Sequence, residues 1–331
     1  MKLKYFFIIT LFPILCLAQV VKDFEKISNG IKVTMTDGTL SISPLTEDAV
    51  RIKFYKGVEA KMPELIFTSS YMPPEFKVID SPSQLELKVN KIIVIINKQT
   101  GNLSFGDNSG KIFLNEKTGT RKLIRDSVMG EPCFMAEQSF ESPDDEYLFG
   151  LGQFQDGHYN LRNVTRRLTQ VNSQISIPFI YSSQGYGLLW YQYGLTDFNP
   201  ADNFITLEKQ EQSKSGDDKL AEVTTASGTQ KVSQDQSLYT GKLIIPEDGI
   251  FSMFLDLGDM DNRQFVVIDG KPCIDQSNFW LPPTSSALVN LKSGEHRVQV
   301  VCKSSNSPKL SWKLLDNLTT FRSPNAKLLD Y

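Results

Sequence analysis

The stretch Leu85-Glu86-Leu87-Lys88-Val89 leads into Ile92-Ile93-Val94-Ile95-Ile96, and this stretch decides the fold class. Its first half alternates apolar and polar residues, which is the period of a half-buried strand. Its second half is β-branched and continuous, which favours a strand buried on both faces. The turn Lys98-Gln99-Thr100-Gly101-Asn102 then returns the chain through Leu103 and Phe105. Strands at this spacing, with no helix between them, predict a β-sandwich.

The same pattern extends outward from Asp23 to about Asp197, with no sustained helical period. Ile31 to Met35 alternates and ends at the hairpin signal Asp37-Gly38, after which the alternation resumes. Val50 to Phe54 alternates as well. The sequence therefore predicts an all-β fold for the first two thirds of the chain.

A second β-rich block follows a change in composition. Between Lys209 and Gln236 the sequence is rich in Gln, Ser, Lys, Asp, Gly and Thr, which is typical of a linker or a module boundary. From Leu238 onward, apolar runs such as Phe251 to Leu255 alternate with turns such as Pro246 to Gly249. This block, about 90 residues long, is large enough for one compact β module.

The N-terminus has the features of an export signal. Lys2 and Lys4 precede an apolar run that ends in Cys16-Leu17-Ala18, whose small residues suit a signal peptidase. We therefore predict a signal peptide over 1–18, a mature chain beginning at Gln19, and a periplasmic or extracellular location. The apolar run is too short for a transmembrane segment of about 20 residues. Leu15, before Cys16, argues against a lipid anchor.

Charge and cysteine content exclude some functions. The chain has 35 basic and 38 acidic residues, so its weak acidity gives no electrostatic reason to expect nucleic acid as a partner. Cys133, Cys273 and Cys302 follow the predicted signal peptide, and an odd number this widely spaced is no disulfide framework. Cys273 and Cys302 could pair if their strands are neighbours. Otherwise they are buried small apolar residues.

The sequence contains no motif that is typical of catalysis, metal binding or cofactor binding. His158 and His296 are the two histidines of the chain, and no Gly-x-Ser-x-Gly motif is present. Gly150-Leu151-Gly152 begins like a dinucleotide-binding loop, but Gln155 replaces the third glycine, which favours a tight turn between strands. Acidic pairs such as Asp144-Asp145 are typical of solvated turns. We predict no metal and no cofactor.

One region resembles the N-terminal β-sandwich of glycoside hydrolase family 31, the retaining α-glucosidases and α-xylosidases. The resemblance spans roughly residues 25–205 and includes the tail at 319–331. The residues that carry it are Tyr147-Leu148-Phe149-Gly150-Leu151-Gly152-Gln153, Leu161-Arg162-Asn163, Ile177-Pro178-Phe179 and Ser182-Ser183-Gln184-Gly185-Tyr186-Gly187-Leu188-Leu189-Trp190. The resemblance implies a galactose-mutarotase-like β-sandwich.

The region from Leu238 to about Leu315 resembles the lectin-like module first described in anthrax protective antigen. The resemblance lies in Tyr239-Thr240-Gly241, the turn from Pro246 to Gly249, Val266 to Lys271, Ile274-Asp275, the Leu291 to Val300 strand pair and Leu310-Ser311-Trp312. Some family 31 α-xylosidases carry such a module at this place. With the signal peptide predicted over 1–18, the two resemblances imply a first sandwich (22–227), an inserted lectin-like β module (228–316) and a return segment of the first sandwich (317–331).

The two resemblances imply a function without catalysis. Family 31 enzymes place the nucleophile and the acid/base on a (β/α)8 barrel downstream, and this sequence ends at Tyr331 before such a barrel. We therefore expect the N-terminal, non-catalytic part of a secreted α-glycosidase of α-xylosidase type, whose partner is the missing barrel. A stand-alone carbohydrate-binding protein is the alternative, and a non-functional remnant is a third.

Candidate site residues follow from the same resemblances. The segment Gln153 to Asn172 corresponds to the loop that approaches the barrel mouth, against the alternative of an ordinary surface loop. Its candidates are Gln153, Asp156, Arg162, Gln170 and Asn172. For the inserted module they are Asp259, Asp261 and Trp280, with Tyr239 as a further ring that could stack on a sugar, although core packing is the commoner fate of an aromatic residue.

The expected ligand is an α-linked oligosaccharide or polysaccharide, including xyloglucan-derived oligosaccharides. Sugar-binding relatives of the module hold calcium with paired aspartates. Here Met260 separates Asp259 from Asp261, so calcium is not expected.

Overall fold

A computed structural model describes residues 19–67, 72–210, 220–225, 228–233 and 236–331. The predicted signal peptide over 1–18 lies outside the described residues. Within them no residue is helical, and the paired strands run antiparallel. The predicted all-β fold class, a β-sandwich with a second β-sandwich inserted, is confirmed.

The first module contains four sheets that surround one hydrophobic core. Sheet 1 consists of β1 (Val21–Ile27), β2 (Gly30–Met35), β3 (Thr39–Thr46), β4 (Ala49–Tyr55) and β29 (Leu329–Asp330). Sheet 2 consists of β5 (Lys77–Asp80), β6 (Gln84–Lys88), β7 (Ile93–Asn97), β8 (Leu103–Gly106) and β9 (Ile112–Asn115). Sheet 3 consists, in spatial order, of β10 (Lys122–Val128), β11 (Glu131–Glu141), β28 (Leu318–Ala326), β16 (Thr196–Phe198) and β13 (Arg166–Leu168). Sheet 4 consists of β12 (Leu148–Gln153), β14 (Ile175–Ser182) and β15 (Gly187–Leu189).

The inserted module has two sheets of its own and a separate core. One sheet has the spatial order β17 (Asn203–Ile205), β27 (Lys309–Leu314), β22 (Gly249–Asp256) and β25 (Thr284–Leu291). The other has the order β18 (Leu207–Lys209), β21 (Gln236–Ile245), β26 (Gly294–Lys303), β23 (Asp261–Ile268) and β24 (Lys271–Leu281). A separate hairpin, β19 (Leu220–Thr225) and β20 (Gly228–Ser233), occupies the region for which the sequence predicted a linker.

After the inserted module the chain returns to the first one. Strand β28 lies between β11 and β16, so Phe321 is opposite Gln138 on one side and Phe198 on the other. Strand β29 then pairs with β4. The predicted insertion is thus confirmed by strand pairing. Its start differs, however: β17 pairs with β27 and β18 with β21, which puts the first strand of the module at Asn203 rather than at position 228.

Aromatic rings fill the centre of the first module. Trp190 is fully buried and stacks on Phe321 and Tyr331, with ring centroids 5.5 and 6.3 Å apart. Its indole Nε1–H donates a hydrogen bond of 3.0 Å to Ser323 Oγ. Because Phe321 and Tyr331 both follow the inserted module, this core is complete only when the chain has returned.

Aliphatic side chains dominate the core of the inserted module. Leu255, Val266, Val298 and Val300 are each fully buried there around the ring of Phe251. Cys273 and Cys302 are free thiols, because β23 lies between their strands, and burial raises the pKa of Cys273 to about 11. They therefore behave as small apolar residues and form no disulfide.

The Gly150-Leu151-Gly152 motif is a bulge within β12, and not the turn between strands that the sequence suggested. The pairing of β12 with β14 shifts register between Gly150 and Gly152. Both glycines have positive φ, and a Cβ at either position would collide with a carbonyl oxygen of β14. The bulge lets the segment after β12 leave the sheet towards the inserted module.

Candidate functional site

The two modules meet at a cleft of about 200 Å³ that we call the inter-module cleft. Residues 154–156, 165–167 and 173–174 of the first module form one wall. Phe254 and residues 276–278, 280–282 and 284–286 of the inserted module form the other. The segment that connects β12 to β14 thus faces the strands β24 and β25 across the cleft.

An ion pair orders the wall formed by the first module. Arg166 donates to both carboxylate oxygens of Asp156, at 2.6 to 2.9 Å. The same guanidinium lies 4.1 Å from the centroid of the Phe154 ring. Because Arg166 is buried, this pairing and stacking keep its charge satisfied and hold Phe154 at the cleft surface.

Arg167 joins the two modules. Adjacent residues of a strand point to opposite faces, so Arg167 points away from its neighbour Arg166. Its Nε donates to Asp197 of the first module at 2.8 Å, and its Nη1 donates to Asp256 of the inserted module at 2.5 Å. These hydrogen bonds raise the pKa of Arg167 above its ordinary value despite the opposing effect of burial. One cation therefore forms ion pairs with a carboxylate from each module.

Further hydrogen bonds cross the junction. The Thr165 backbone N–H donates to Ser252 Oγ at 3.1 Å, and both residues are buried. Ser173 Oγ donates to the Trp280 carbonyl oxygen at 2.6 Å, which ties the connecting segment to β24. His158 Nε2 lies 3.3 Å from the Ser286 carbonyl oxygen. Together with Arg167, these contacts fix the geometry of the cleft.

The cleft combines aromatic rings with uncharged hydrogen-bonding groups. Its lining includes the rings of Phe154 and Trp280 and four side-chain amides, those of Gln155, Gln174, Gln276 and Asn278. Ser285 also lines it, and its buried hydroxyl has no hydrogen-bond partner. Apolar rings next to amides and hydroxyls can accommodate a sugar, which has an apolar C–H face and hydroxyl groups at its edge.

Two of the predicted site residues, Asp156 and Trp280, are brought together in this cleft. Gln153, Gln170 and Asn172 are exposed and do not line it. Arg162 lies elsewhere: it donates to Asp144 at 2.7 Å, Asn317 at 2.6 Å and the Ser142 carbonyl oxygen at 3.1 Å. Its contacts brace the point where the chain returns from the inserted module.

The remaining candidates of the inserted module are not part of the cleft. Asp261 is only 3% exposed and accepts hydrogen bonds from the backbone N–H groups of residues 262, 263 and 303 and from the Asn306 side chain. It anchors a loop internally, and its oxygens face protein donors. Asp259 is exposed. Tyr239 is buried, with its hydroxyl donating to the Asn306 carbonyl oxygen, so its ring has no free face for a sugar.

Sequence reasoning missed Phe154, Arg166, Arg167 and the amides of the cleft. The adjacent arginines were a usable signal, since a strand directs them to opposite faces and each needs its own carboxylate. The amides had no such signal because polar residues are common in any surface loop.

Within residues 19–67, 72–210, 220–225, 228–233 and 236–331, no three His, Cys, Asp or Glu side chains are grouped so as to hold a metal ion. The same residues include no helix that could span a membrane.

Residues 39–199 match the family model described as the glycosyl hydrolase 31 N-terminal galactose mutarotase-like domain. The first module is a family 31 N-terminal domain. An α-xylosidase of Saccharolobus solfataricus is 31% identical to the chain over 173 residues, which are 47% of this chain and 22% of that protein. An uncharacterised family 31 glucosidase of Pseudescherichia vulneris is 49% identical over 51 residues, or 15% of this chain and 10% of that protein.

The fold likeness extends over the family 31 domain and the inserted module together. The crystal structure of a family 31 α-xylosidase from Xanthomonas citri superposes with a TM-score of 0.72, covering 92% of this chain at 21% sequence identity. The match covers 38% of the Xanthomonas protein. This chain therefore spans less than two fifths of the length of each of these relatives.

Proposed function

We propose that this chain is the exported, non-catalytic N-terminal part of a family 31 α-glycosidase of α-xylosidase type, and that it contacts oligosaccharides at the inter-module cleft. The family 31 domain and the similarity to α-xylosidases support this class of protein. The observation that carries the proposal is the cleft itself, because both modules contribute to it and the residues that join them also shape it.

The lining of the cleft favours binding over hydrolysis. A retaining glycosidase needs two carboxyl groups about 5–5.5 Å apart, one as nucleophile and one as acid/base. Asp156 is the one carboxylate among the described residues that line the cleft, and Arg166 pairs with both of its oxygens. A carboxylate held in this way supports the wall of a binding site.

The N-terminal sequence pattern supports export, since Lys2 and Lys4 precede an apolar run that ends in Cys16-Leu17-Ala18. Cleavage after Ala18 leaves Gln19 as the first residue, and the Gln19 side chain donates to Asp37 at 3.0 Å and accepts from Arg121 at 3.0 Å. Export is tested by N-terminal sequencing of protein recovered from the periplasm or medium of an expressing bacterium. A first residue of Gln19 is expected, and an uncleaved chain starting at Met1 in the cytoplasm would contradict it.

Binding at the cleft is tested with the three tryptophan indoles, which are expected to give three separate NMR signals because their surroundings differ. Trp280 lines the cleft, whereas Trp190 is buried in the core of the family 31 domain and Trp312 packs on Phe251 within the other core. Xyloglucan-derived oligosaccharides titrated into the full chain should shift the Trp280 indole signal and leave the other two unchanged. The expected dissociation constant is on the order of millimolar, because a small polar ligand gains little apolar burial.

A matched variant completes the test. Trp280→Ala should abolish saturable binding, whereas Asp259→Ala, an exposed substitution outside the cleft, should leave the titration unchanged. The proposal fails if the Trp280 signal is unmoved at concentrations about tenfold above the millimolar range. Calcium chelators should have no effect on the titration, since the Asp261 carboxylate is already occupied by protein donors.

A further inference from the structure

Two hydroxyl side chains of β25 face the inter-module cleft. In the pairing of β25 with β22, Thr284 lies opposite Asp256, and Ser286 lies opposite Phe254. Phe254 lines the cleft, and directly opposite residues of an antiparallel pair lie on the same face of a sheet. Thr284 and Ser286 therefore point into the cleft, which both of them line. We call these two residues the β25 hydroxyl pair.

The β25 hydroxyl pair is buried between the modules, and each of its residues is only 8% exposed. Within the described residues neither hydroxyl has a hydrogen-bond partner, and the contact from His158 reaches only the Ser286 carbonyl oxygen. Unlike the hydroxyl of Ser285, neither is enclosed by protein, so both are accessible from the cleft. Buried polar groups are normally hydrogen-bonded. Two unpaired hydroxyls on one wall therefore favour a ligand that offers polar groups to them.

The size of the cleft limits this ligand to about one sugar ring. Pockets for drug-sized ligands have volumes of about 300–1,000 Å³. The inter-module cleft has a volume of about 200 Å³. The β25 hydroxyl pair is separated by two strand steps, or about 7 Å between Cα atoms, and the hydroxyl groups of a single pyranose ring can span such a distance. The cleft therefore fits the terminal residue of a sugar chain, with the rest of the chain outside.

The charges that line the cleft are already paired. Arg166 binds both carboxylate oxygens of Asp156, and Arg167 binds Asp197 and Asp256. Among the described residues of the lining, no cation is left to receive an acidic group. A sugar with a carboxylate or a sulfate would bring an unpaired negative charge close to Asp156, which is unfavourable in a partly buried site. The lining therefore favours an uncharged sugar.

We propose that the β25 hydroxyl pair binds the hydroxyl groups of one uncharged, terminal sugar residue, and that the cleft selects neutral sugars over acidic ones. This inference rests on the proposed function and specifies the ligand of the same cleft. Each hydroxyl of the pair can both donate and accept a hydrogen bond, as the hydroxyls of a sugar can. The rings of Phe154 and Trp280 supply the apolar contacts for its C–H groups.

The first test compares two ligands by their effect on the Trp280 indole signal of the full chain. Methyl α-xyloside is a single uncharged residue, whereas methyl α-glucuronoside carries a carboxylate on a similar ring. Methyl α-xyloside should shift the signal with a dissociation constant on the order of millimolar. The glucuronoside should bind about tenfold more weakly or less, because its carboxylate lies near that of Asp156 without a cation.

The second test removes the hydroxyls one at a time. Thr284→Val and Ser286→Ala should each weaken binding of methyl α-xyloside about threefold to tenfold. Neither change should lower the midpoint of thermal denaturation, because neither hydroxyl is bonded to another group of the described chain. Ser307→Ala is the matched control, since Ser307 is exposed and lies outside the cleft, and it should alter neither measurement. A purely structural role of the pair would lower the midpoint and leave binding unchanged.

Each outcome decides for or against the inference. Weaker binding by both variants at an unchanged midpoint, together with discrimination against the glucuronoside, supports it. Equal binding of the two methyl glycosides, or variants that bind like the unmodified chain, overturns it. An indole that responds to the xyloglucan-derived oligosaccharide but not to methyl α-xyloside overturns this inference alone and leaves the proposed function intact. An indole that responds to neither sugar overturns both.

Discussion

The family 31 domain and the inserted module are built from the chain in different ways. In the family 31 domain, β28 joins β11 across about 180 residues of sequence, as the pairing of Gln138 with Phe321 shows. The inserted module instead begins and ends within about 110 residues, and its long strands β21 and β26 pair along their whole length. Its fold is therefore more local than that of the domain that contains it.

Because of this difference, the two cores depend to different degrees on residues that are distant in the sequence. The core around Trp190 takes Phe321 and Tyr331 from the segment after the inserted module, whereas the core around Phe251 uses residues from within the module and its first strand. Contacts between distant segments cost more chain entropy and form later. We therefore expect the inserted module to retain its fold when the family 31 domain is weakened, and the reverse to hold less well.

The largest expected effect is that of Trp190→Ala. Removal of a fully buried indole that stacks on two rings should lower the free energy of unfolding of the family 31 domain by about 3–5 kcal/mol. Trp312→Ala, the matched change in the inserted module, removes a partly buried ring and should cost less. Urea denaturation followed by far-UV circular dichroism, which reports the strands of both modules, measures both. Equal losses would remove the distinction between the two cores.

Asp261→Ala should produce the next largest effect, and within the inserted module alone. Four donors lose their acceptor, three of them backbone N–H groups, and a cost of about 3 kcal/mol follows from leaving such groups unpaired. Asp259→Ala should change stability by less than about 0.5 kcal/mol, as surface substitutions usually do. The midpoints of thermal denaturation of the two variants show whether Asp261 stabilises the fold more than the exposed Asp259 does. Similar midpoints would contradict this assignment of Asp261.

Arg167→Ala should uncouple the modules at a smaller cost. The Arg167–Asp256 pair is partly exposed, so a double-mutant cycle between these residues should give a coupling of about 1 kcal/mol. Arg263→Ala, which removes an ion pair with Asp275 inside the inserted module, is the control. Calorimetry should resolve two transitions in Arg167→Ala where the unmodified chain shows overlapping ones. A single unchanged transition would show that Arg167 does not join the modules.

The smallest expected effect is a pH dependence confined to the inserted module. His296 Nδ1 lies 2.6 Å from Asp269 Oδ2, and its Nε2 lies 2.8 Å from the Lys292 carbonyl oxygen, so both ring nitrogens face acceptors and both must donate. These hydrogen bonds, that to Asp269 first, raise the pKa of His296 above its ordinary 6.5. The stabilisation is therefore complete below pH 6.5 and is lost as pH rises through the folded-state pKa.

Denaturation of the inserted module at a series of pH values from about 6 to about 8 checks this expectation. Stability of the unmodified chain should fall as pH rises above 6.5, and His296→Gln should show a flatter profile. The hydrogen bond from His296 also lowers the pKa of Asp269. Asp269 therefore stabilises the folded state at neutral pH, and this stabilisation is lost only as the pH falls into the acid range. A profile of the unmodified chain that is flat between pH 6 and about 8 would exclude a protonated His296.

Sequence patterns predicted most of the fold because strand periodicity is a local property. The β-branched run became β7, and the Asp37-Gly38 signal became the β2–β3 hairpin. The sequence pattern placed the start of the inserted module too late. Strands β17 and β18 have only three residues each, and they belong to the inserted module because they pair with β27 and β21, which come later in the chain.

The candidate site was less predictable for a related reason. Asp156 and Trp280 were identified, whereas the burial of Asp261 and Tyr239 depends on residues from other strands, such as Asn306. Likewise, nothing local to Arg167 shows that Asp256 of the other module lies beside it. Local patterns identify strands, and only the packed modules show which side chains share a cleft.

The most direct test of the account is one NMR time course of the full chain with a xyloglucan-derived oligosaccharide that carries terminal α-xylose. It records the Trp280 indole signal and the anomeric protons of the sugar in the same sample. We predict that the indole shifts on mixing and that the anomeric signals stay unchanged over a day. Release of free xylose that is abolished by substituting a carboxylate of this chain, or an indole unmoved by the sugar, would contradict a binding site that does not catalyse.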